Sequence, residues 1–62
     1  MNKRYAAVIR DNMNVIVRVE ERPTWWRARK AGEFFTKSHK GWWWTIAVDE
    51  EEIELFKSLI NA

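Results

Sequence analysis

Five tryptophans in a chain of 62 residues stand in two unbroken runs, Trp25-Trp26 and Trp42-Trp43-Trp44. Both runs lie in segments whose alternation of apolar and polar residues predicts β-strands, and a strand points successive side chains to opposite faces of its sheet. Neighbouring indoles cannot then all be core. At least one in each run is expected on the far side of the sheet, among Arg27, Arg29 and Lys30.

Size narrows the options further. A chain this short buries only about 60% of the surface its unfolded form exposes, and it reads as a single small domain over residues 1–62, with the sheet in about 4–48 and a helix in about 50–61. It has no cysteine and one histidine, His39, so neither a disulfide framework nor a structural metal site is expected, and no cofactor is implied. Aromatic packing or association with another copy is left to stabilise it. The apolar stretch from Tyr5 to Ile9 is too short for a signal-peptide core, and no run approaches the roughly 20 apolar residues that span a bilayer. A cytoplasmic location is expected, or a host cytoplasm if a mobile element encodes the chain.

The net charge of +2 conceals an asymmetry. Residues 1–48 carry ten Lys or Arg against four acids, a balance of +6, and residues 49–62 carry five acids against Lys57, a balance of −4. A basic body thus precedes an acidic tail.

Along the chain, Arg4 to Arg10 is an apolar run rich in strand formers, and Asp11-Asn12-Met13-Asn14 suits a hairpin turn. Val15 to Glu21 alternates, with Val15, Val17 and Val19 on one face and Ile16, Arg18 and Glu20 on the other. Pro23 should end that strand. Thr24 to Lys30 alternates again, placing Trp26 and Ala28 on one face and Trp25, Arg27 and Arg29 on the other, before a turn at Ala31-Gly32. Phe34 to His39 reads as extended or irregular. Trp42 to Val48 gives a last strand with Trp42, Trp44, Ile46 and Val48 toward the core and Trp43, Thr45 and Ala47 away from it.

Asp49 followed by Glu50, Glu51 and Glu52 marks a helix start. The aspartate can cap a free backbone amide, Glu52 occupies the capping-box position, and the acids favour the positive end of the helix dipole. Ile53, Leu55, Phe56, Leu59 and Ile60 then form an apolar stripe, with Glu54, Lys57, Ser58 and Asn61 outside it.

The expected fold is α+β: a small antiparallel sheet of three or four strands followed by one C-terminal amphipathic helix, with a small Src-homology-3-like barrel as the alternative. One helix covers one face of such a sheet. The other, carrying Ile16, Arg18, Trp25, Arg27, Arg29, Trp43 and Thr45, is left for solvent or a partner. Guanidiniums and indoles suit nucleic acid, DNA first: Arg18, Arg27 and Arg29 would contact backbone or bases, Trp25 and Trp43 would stack, and Lys30, Lys37 and Lys40 would anchor phosphates.

The expected order of three strands and a C-terminal helix resembles, in architecture, the arm-binding domain of tyrosine recombinases and the plant ethylene-response-factor domain, which read the DNA major groove with the sheet face. The resemblance transfers no residue. The string Trp25-Trp26-Arg27-Ala28-Arg29 is similar to a five-residue stretch of Src-homology peptide-binding barrels. That family's acidic, tyrosine-rich opening and closing proline-tyrosine segment have no counterpart here.

The rival reading is a protein-interaction module, such as a small phage-type inhibitor or adaptor, or a homodimer using the same face, since interfaces favour Trp and Arg. An obligate dimer face should be poor in arginine. No enzyme is expected: Ser38 and His39 are adjacent and have no acid placed by spacing to orient the imidazole. The Glu50-Glu51-Glu52 run reads as helix initiation rather than paired catalytic carboxylates, and Gly32 and Gly41 stand alone.

Overall fold

The computed structural model describes residues 4–60. Strands β1 (Tyr5–Arg10) and β2 (Ile16–Arg22) are followed by helix α1 (Trp25–Lys37), strand β3 (Trp43–Ala47) and helix α2 (Glu50–Ile60). The three strands form one open antiparallel sheet in the order β2-β1-β3. The fold is α+β with a C-terminal helix, and the sheet does not close into a barrel. The expected last helical position, Asn61, lies outside the described residues.

The β1–β2 hairpin forms where the polar tetrad predicts it. Asp11 Oδ1 accepts hydrogen bonds from the backbone amides of Met13 (2.8 Å) and Val15 (3.0 Å), and Asn14 turns the chain at φ 67°. Asparagine tolerates that left-handed conformation better than most residues. Next to the turn the register slips: Ile9 pairs with Arg18 but Arg10 pairs with Ile16, so Val17 is an extra residue. A bulge of this kind interrupts the two-residue period. Ile16 therefore shares a side with Val19 against the core, instead of the outward face with Arg18 that strict alternation predicts.

The largest departure from expectation is α1. Residues 24–30 do not form a strand, and 34–37 are neither extended nor irregular: a thirteen-residue helix runs from Trp25 to Lys37. Thr24 caps it, its side-chain oxygen accepting from the Arg27 amide at 3.1 Å and its carbonyl from Ala28 at 3.0 Å. Ala28, Ala31 and Gly32 are its buried residues, and half-buried Phe35 continues the spacing i, i+3, i+4, i+7. That is a helical stripe made of small residues. The string Trp25 to Arg29 is thus the first turn and more of a helix, not a barrel strand.

Side-chain parity places the two helices on opposite faces of the sheet. Ile9, Arg18 and Trp44 are cross-strand partners on one side. There Gly32 of α1 meets the Trp44 ring, and the Arg18 guanidinium lies 4.2 Å from the centroid of Phe35. Ala6, Val8, Val19 and Ala47 point to the other side, where they pack with Ile53 and Phe56 of α2. The expectation that one sheet face lacks a helix is therefore overturned. With both faces covered, Ala6, Ala7, Val8 and Ile9 of the central strand are all fully buried.

α2 begins as its sequence predicts, with Asp49 Oδ1 accepting from the Glu51 amide at 3.2 Å. Its contact stripe is narrower than the sequence suggests. Ile53 is fully buried and Phe56 half-buried, whereas Leu55 and Leu59 stand 57% and 51% exposed. Across this layer Lys57 donates to Glu21 of β2, which also accepts from Arg4 at 3.1 Å. The ammonium beside Glu21 holds that carboxyl below its ordinary value, with Arg4 helping and partial burial opposing, and Glu21 in turn raises Lys57.

Candidate functional site

Helix α1 carries most of the side chains that could recognise a partner. Its inward stripe of alanines and glycine turns the long residues outward, and they are cationic or aromatic. Arg27, Arg29, Lys30 and Lys37 face a single acid, Glu33, for a local balance of +3. Trp25, Trp26 and Phe34 are 46%, 56% and 69% exposed. On the opposite side of the sheet, α2 carries Glu50, Glu51, Glu52 and Glu54 against Lys57, a balance of −3. The charge asymmetry along the sequence has become an asymmetry between layers.

Carboxylates reach only some of the cations. Arg29 pairs with Glu33 at 3.3 Å, and Arg18 and Arg22 share Glu20. Among the described residues Arg27, Lys30, Lys37 and Lys40 make no ion pair. Positions 27, 30, 34 and 37 recur at three- and four-residue intervals, so Arg27, Lys30, Phe34 and Lys37 form one exposed flank. Lys30 also lies 5.0 Å from the Trp26 ring, and Arg29 sits 5.8 and 5.6 Å from the rings of Trp25 and Trp26. These cation–π contacts hold the indoles on the helix surface.

Beside that flank, α1 and the edge strand β2 border a shallow, open groove of about 550 Å³, lined by Arg22, Arg27, Lys30, Ala31, Phe34 and Phe35. Phe34 and Phe35 meet edge to face at 5.1 Å, and Arg18 covers Phe35 from the strand. No acidic residue lines the groove.

The structure gathers some of the sequence-predicted site residues and disperses others. Arg27 and Lys30 come together at the groove, with Arg18 beside it, while Trp25 and Arg29 occupy the neighbouring part of α1. None of the four α1 residues lies on the sheet. Lys37 ends the helix and Lys40 follows in the exposed connection to β3. Trp43 is 43% exposed but belongs to the opposite side, where Arg10 lies 5.2 Å from its ring and 5.6 Å from that of Phe56. It cannot join a surface centred on α1. Thr45 and Ile16 are also on that far side, through their pairing with Val8 and Arg10.

Sequence reading missed Arg22, Trp26, Phe34 and Phe35. A strand places Trp26 on the core face and leaves Phe34 in an extended or irregular segment, whereas a helical period through Ala28, Ala31, Gly32 and Phe35 exposes both. His39 lies in the connection after α1, stacked on Trp42 with ring centroids 3.7 Å apart. No helix among the described residues is long and apolar enough to cross a membrane.

No family model, curated protein or solved structure matches the chain.

Proposed function

We propose that this chain is a non-catalytic nucleic-acid-binding module that docks through the outward surface of α1. The observation that carries the reading is the flank of Arg27, Lys30 and Lys37, cations without carboxylate partners among the described residues, interleaved with exposed Trp26 and Phe34. Such cations release counterions from a phosphate backbone, and exposed rings supply base-stacking surfaces. The interface differs from the sheet face that the sequence suggests: the same residue types act from a helix.

The flank also argues against an isologous dimer built on α1. A two-fold contact would set Arg27, Lys30 and Lys37 against a second set of the same charges. A protein partner with an acidic surface is the second reading, favoured by the enrichment of tryptophan and arginine on α1.

The test is a binding titration with fluorescently labelled DNA and RNA oligonucleotides over a series of salt concentrations, comparing the parent with Arg27→Ala/Lys30→Ala. Loss of two phosphate contacts should reduce the slope of log affinity against log salt by about 1.4 to 1.8. Binding that ignores both salt and the double substitution would defeat the proposal.

A further inference from the structure

We infer that the groove between α1 and β2 accepts an unpaired nucleotide, so that the chain prefers single-stranded nucleic acid over duplex. This deepens the reading of α1 as a nucleic-acid surface and rests on it. The groove is open, nearer a flat surface than an enclosed cavity, with a volume of about 550 Å³, so an occupant lies against its walls and keeps one side in solvent. Its walls divide by chemistry in the way a nucleotide does.

The apolar part is Ala31 with the rings of Phe34 and Phe35. Phe34 is 69% exposed and can present a ring to a base. Phe35 is held by two neighbours, edge to face by Phe34 at 5.1 Å and by the Arg18 guanidinium at 4.2 Å. A ring already fixed in place loses little freedom when a base stacks nearby. The small side chain of Ala31 leaves the floor of the groove open.

The charged part is Arg22, Arg27 and Lys30. Arg22 is engaged by the Glu20 carboxylate at 3.2 Å and by the Glu21 carbonyl at 2.8 Å, which positions it along the β2 edge. Arg27 and Lys30 have no such partner among the described residues and supply donors for a phosphate. Lys30 and Phe34 stand one helical turn apart and Arg27 one turn further back, with Arg22 opposite them on β2. A base inside a duplex is stacked on both sides and cannot enter, whereas an unpaired base can turn its face to Phe34 while its phosphate meets Arg27 or Lys30.

The experiment compares a fluorescein-labelled oligothymidylate with a labelled duplex of equal length at matched salt, using the parent, Phe34→Ala, Phe34→Trp and Arg27→Ala/Lys30→Ala. Thermal melting of each variant checks the fold, which an exposed phenylalanine should scarcely affect. Single strand should bind more tightly than duplex. Phe34→Ala should weaken single-strand binding about five- to 150-fold, the range expected for losing one stacked base, and leave the salt slope unchanged, while Phe34→Trp restores affinity. Equal affinity for the two forms, with no effect of Phe34→Ala, overturns the groove assignment; if Arg27→Ala/Lys30→Ala still lowers affinity and slope, the α1 reading survives alone. Absence of binding to either form at low salt removes both.

Discussion

Gly32 on α1 and Trp44 on β3 meet so closely that a Cβ at position 32 would stand 2.6 Å from Cδ2 and 2.7 Å from Cγ of the indole. The helix lies on the sheet through this contact and through Ala28 and Ala31, small residues that let the two backbones approach. Glycine in a helix interior normally costs about 1 kcal/mol relative to alanine. Here Gly32→Ala should destabilise instead, because overpacking a filled site costs about 1 to 3 kcal/mol and exceeds the gain in helix propensity. Chemical denaturation of the two proteins decides the sign; a more stable variant would show that the helix can lift off Trp44 at little cost.

The α2 layer should depend on one residue above its neighbours. Ile53→Ala empties a fully buried position and is expected to cost about 2 to 5 kcal/mol. Leu55→Ala, at an exposed position two residues on, should change stability by less than about 0.5 kcal/mol. Comparable losses from both would place Leu55 in a contact that this packing does not contain.

Acid should weaken the junction between β2 and α2. The folded state lowers the Glu21 carboxyl below 4.5, chiefly through its hydrogen bond with Lys57. A lowered carboxyl contributes stability that is present above its free value and is lost as pH falls through the folded one. Lys57 is raised above 10.5 by the same partner; its contribution is present below that value and disappears as pH rises through the raised one. Melting curves taken across the acid range should therefore fall less steeply for Glu21→Gln than for the parent. Equal slopes would mean that the pair contributes nothing to folding.

Tryptophan side-chain NMR signals should separate the two sides of the molecule. On titration with oligonucleotide at low salt, the Trp26 indole should shift and the Trp43 indole should not, since the sheet and α1 stand between Trp43 and the basic flank. A response of Trp43 with Trp25 and Trp26 unmoved would shift the interface to the opposite side of the sheet and remove α1 from the site.

Much of the architecture was legible because local signals agreed with tertiary needs. Asp11 to Asn14 had the chemistry of a tight turn, and Asp49 with its following glutamates had that of a helix start. α1 was hidden because its local and long-range requirements diverge. Trp25 to Arg29 alternates over a short window like a strand, and Ala31-Gly32 looks like a turn when its real reason, the Trp44 ring, lies twelve residues away on β3. A clue was nonetheless present. The unbroken run Ala6 to Ile9 lacks the polar alternation of a half-exposed strand, and such runs belong to strands covered on both faces. Taken seriously, it calls for a second helix, and only residues 24–39 could provide one. The bulge at Val17 had no comparable sequence signal, so the side taken by Ile16 was not readable in advance. The residue types of the candidate site were recognisable, but their grouping depended on α1 and was recoverable only with it.

Placing the two helices across a three-stranded sheet also sets a balance of +3 on α1 opposite −3 on α2, a charge separation that the net charge of +2 does not reveal. In the field of a polyanion such a body experiences a torque as well as a pull. It turns with α1 leading before any side chain touches, so productive encounters rise at low ionic strength through orientation as much as through attraction. In the proposed docking pose the outward side, which carries α2, is negative. A second copy arriving with α1 first would meet that negative side with its own cations, so charge alone favours head-to-tail stacking over a single layer.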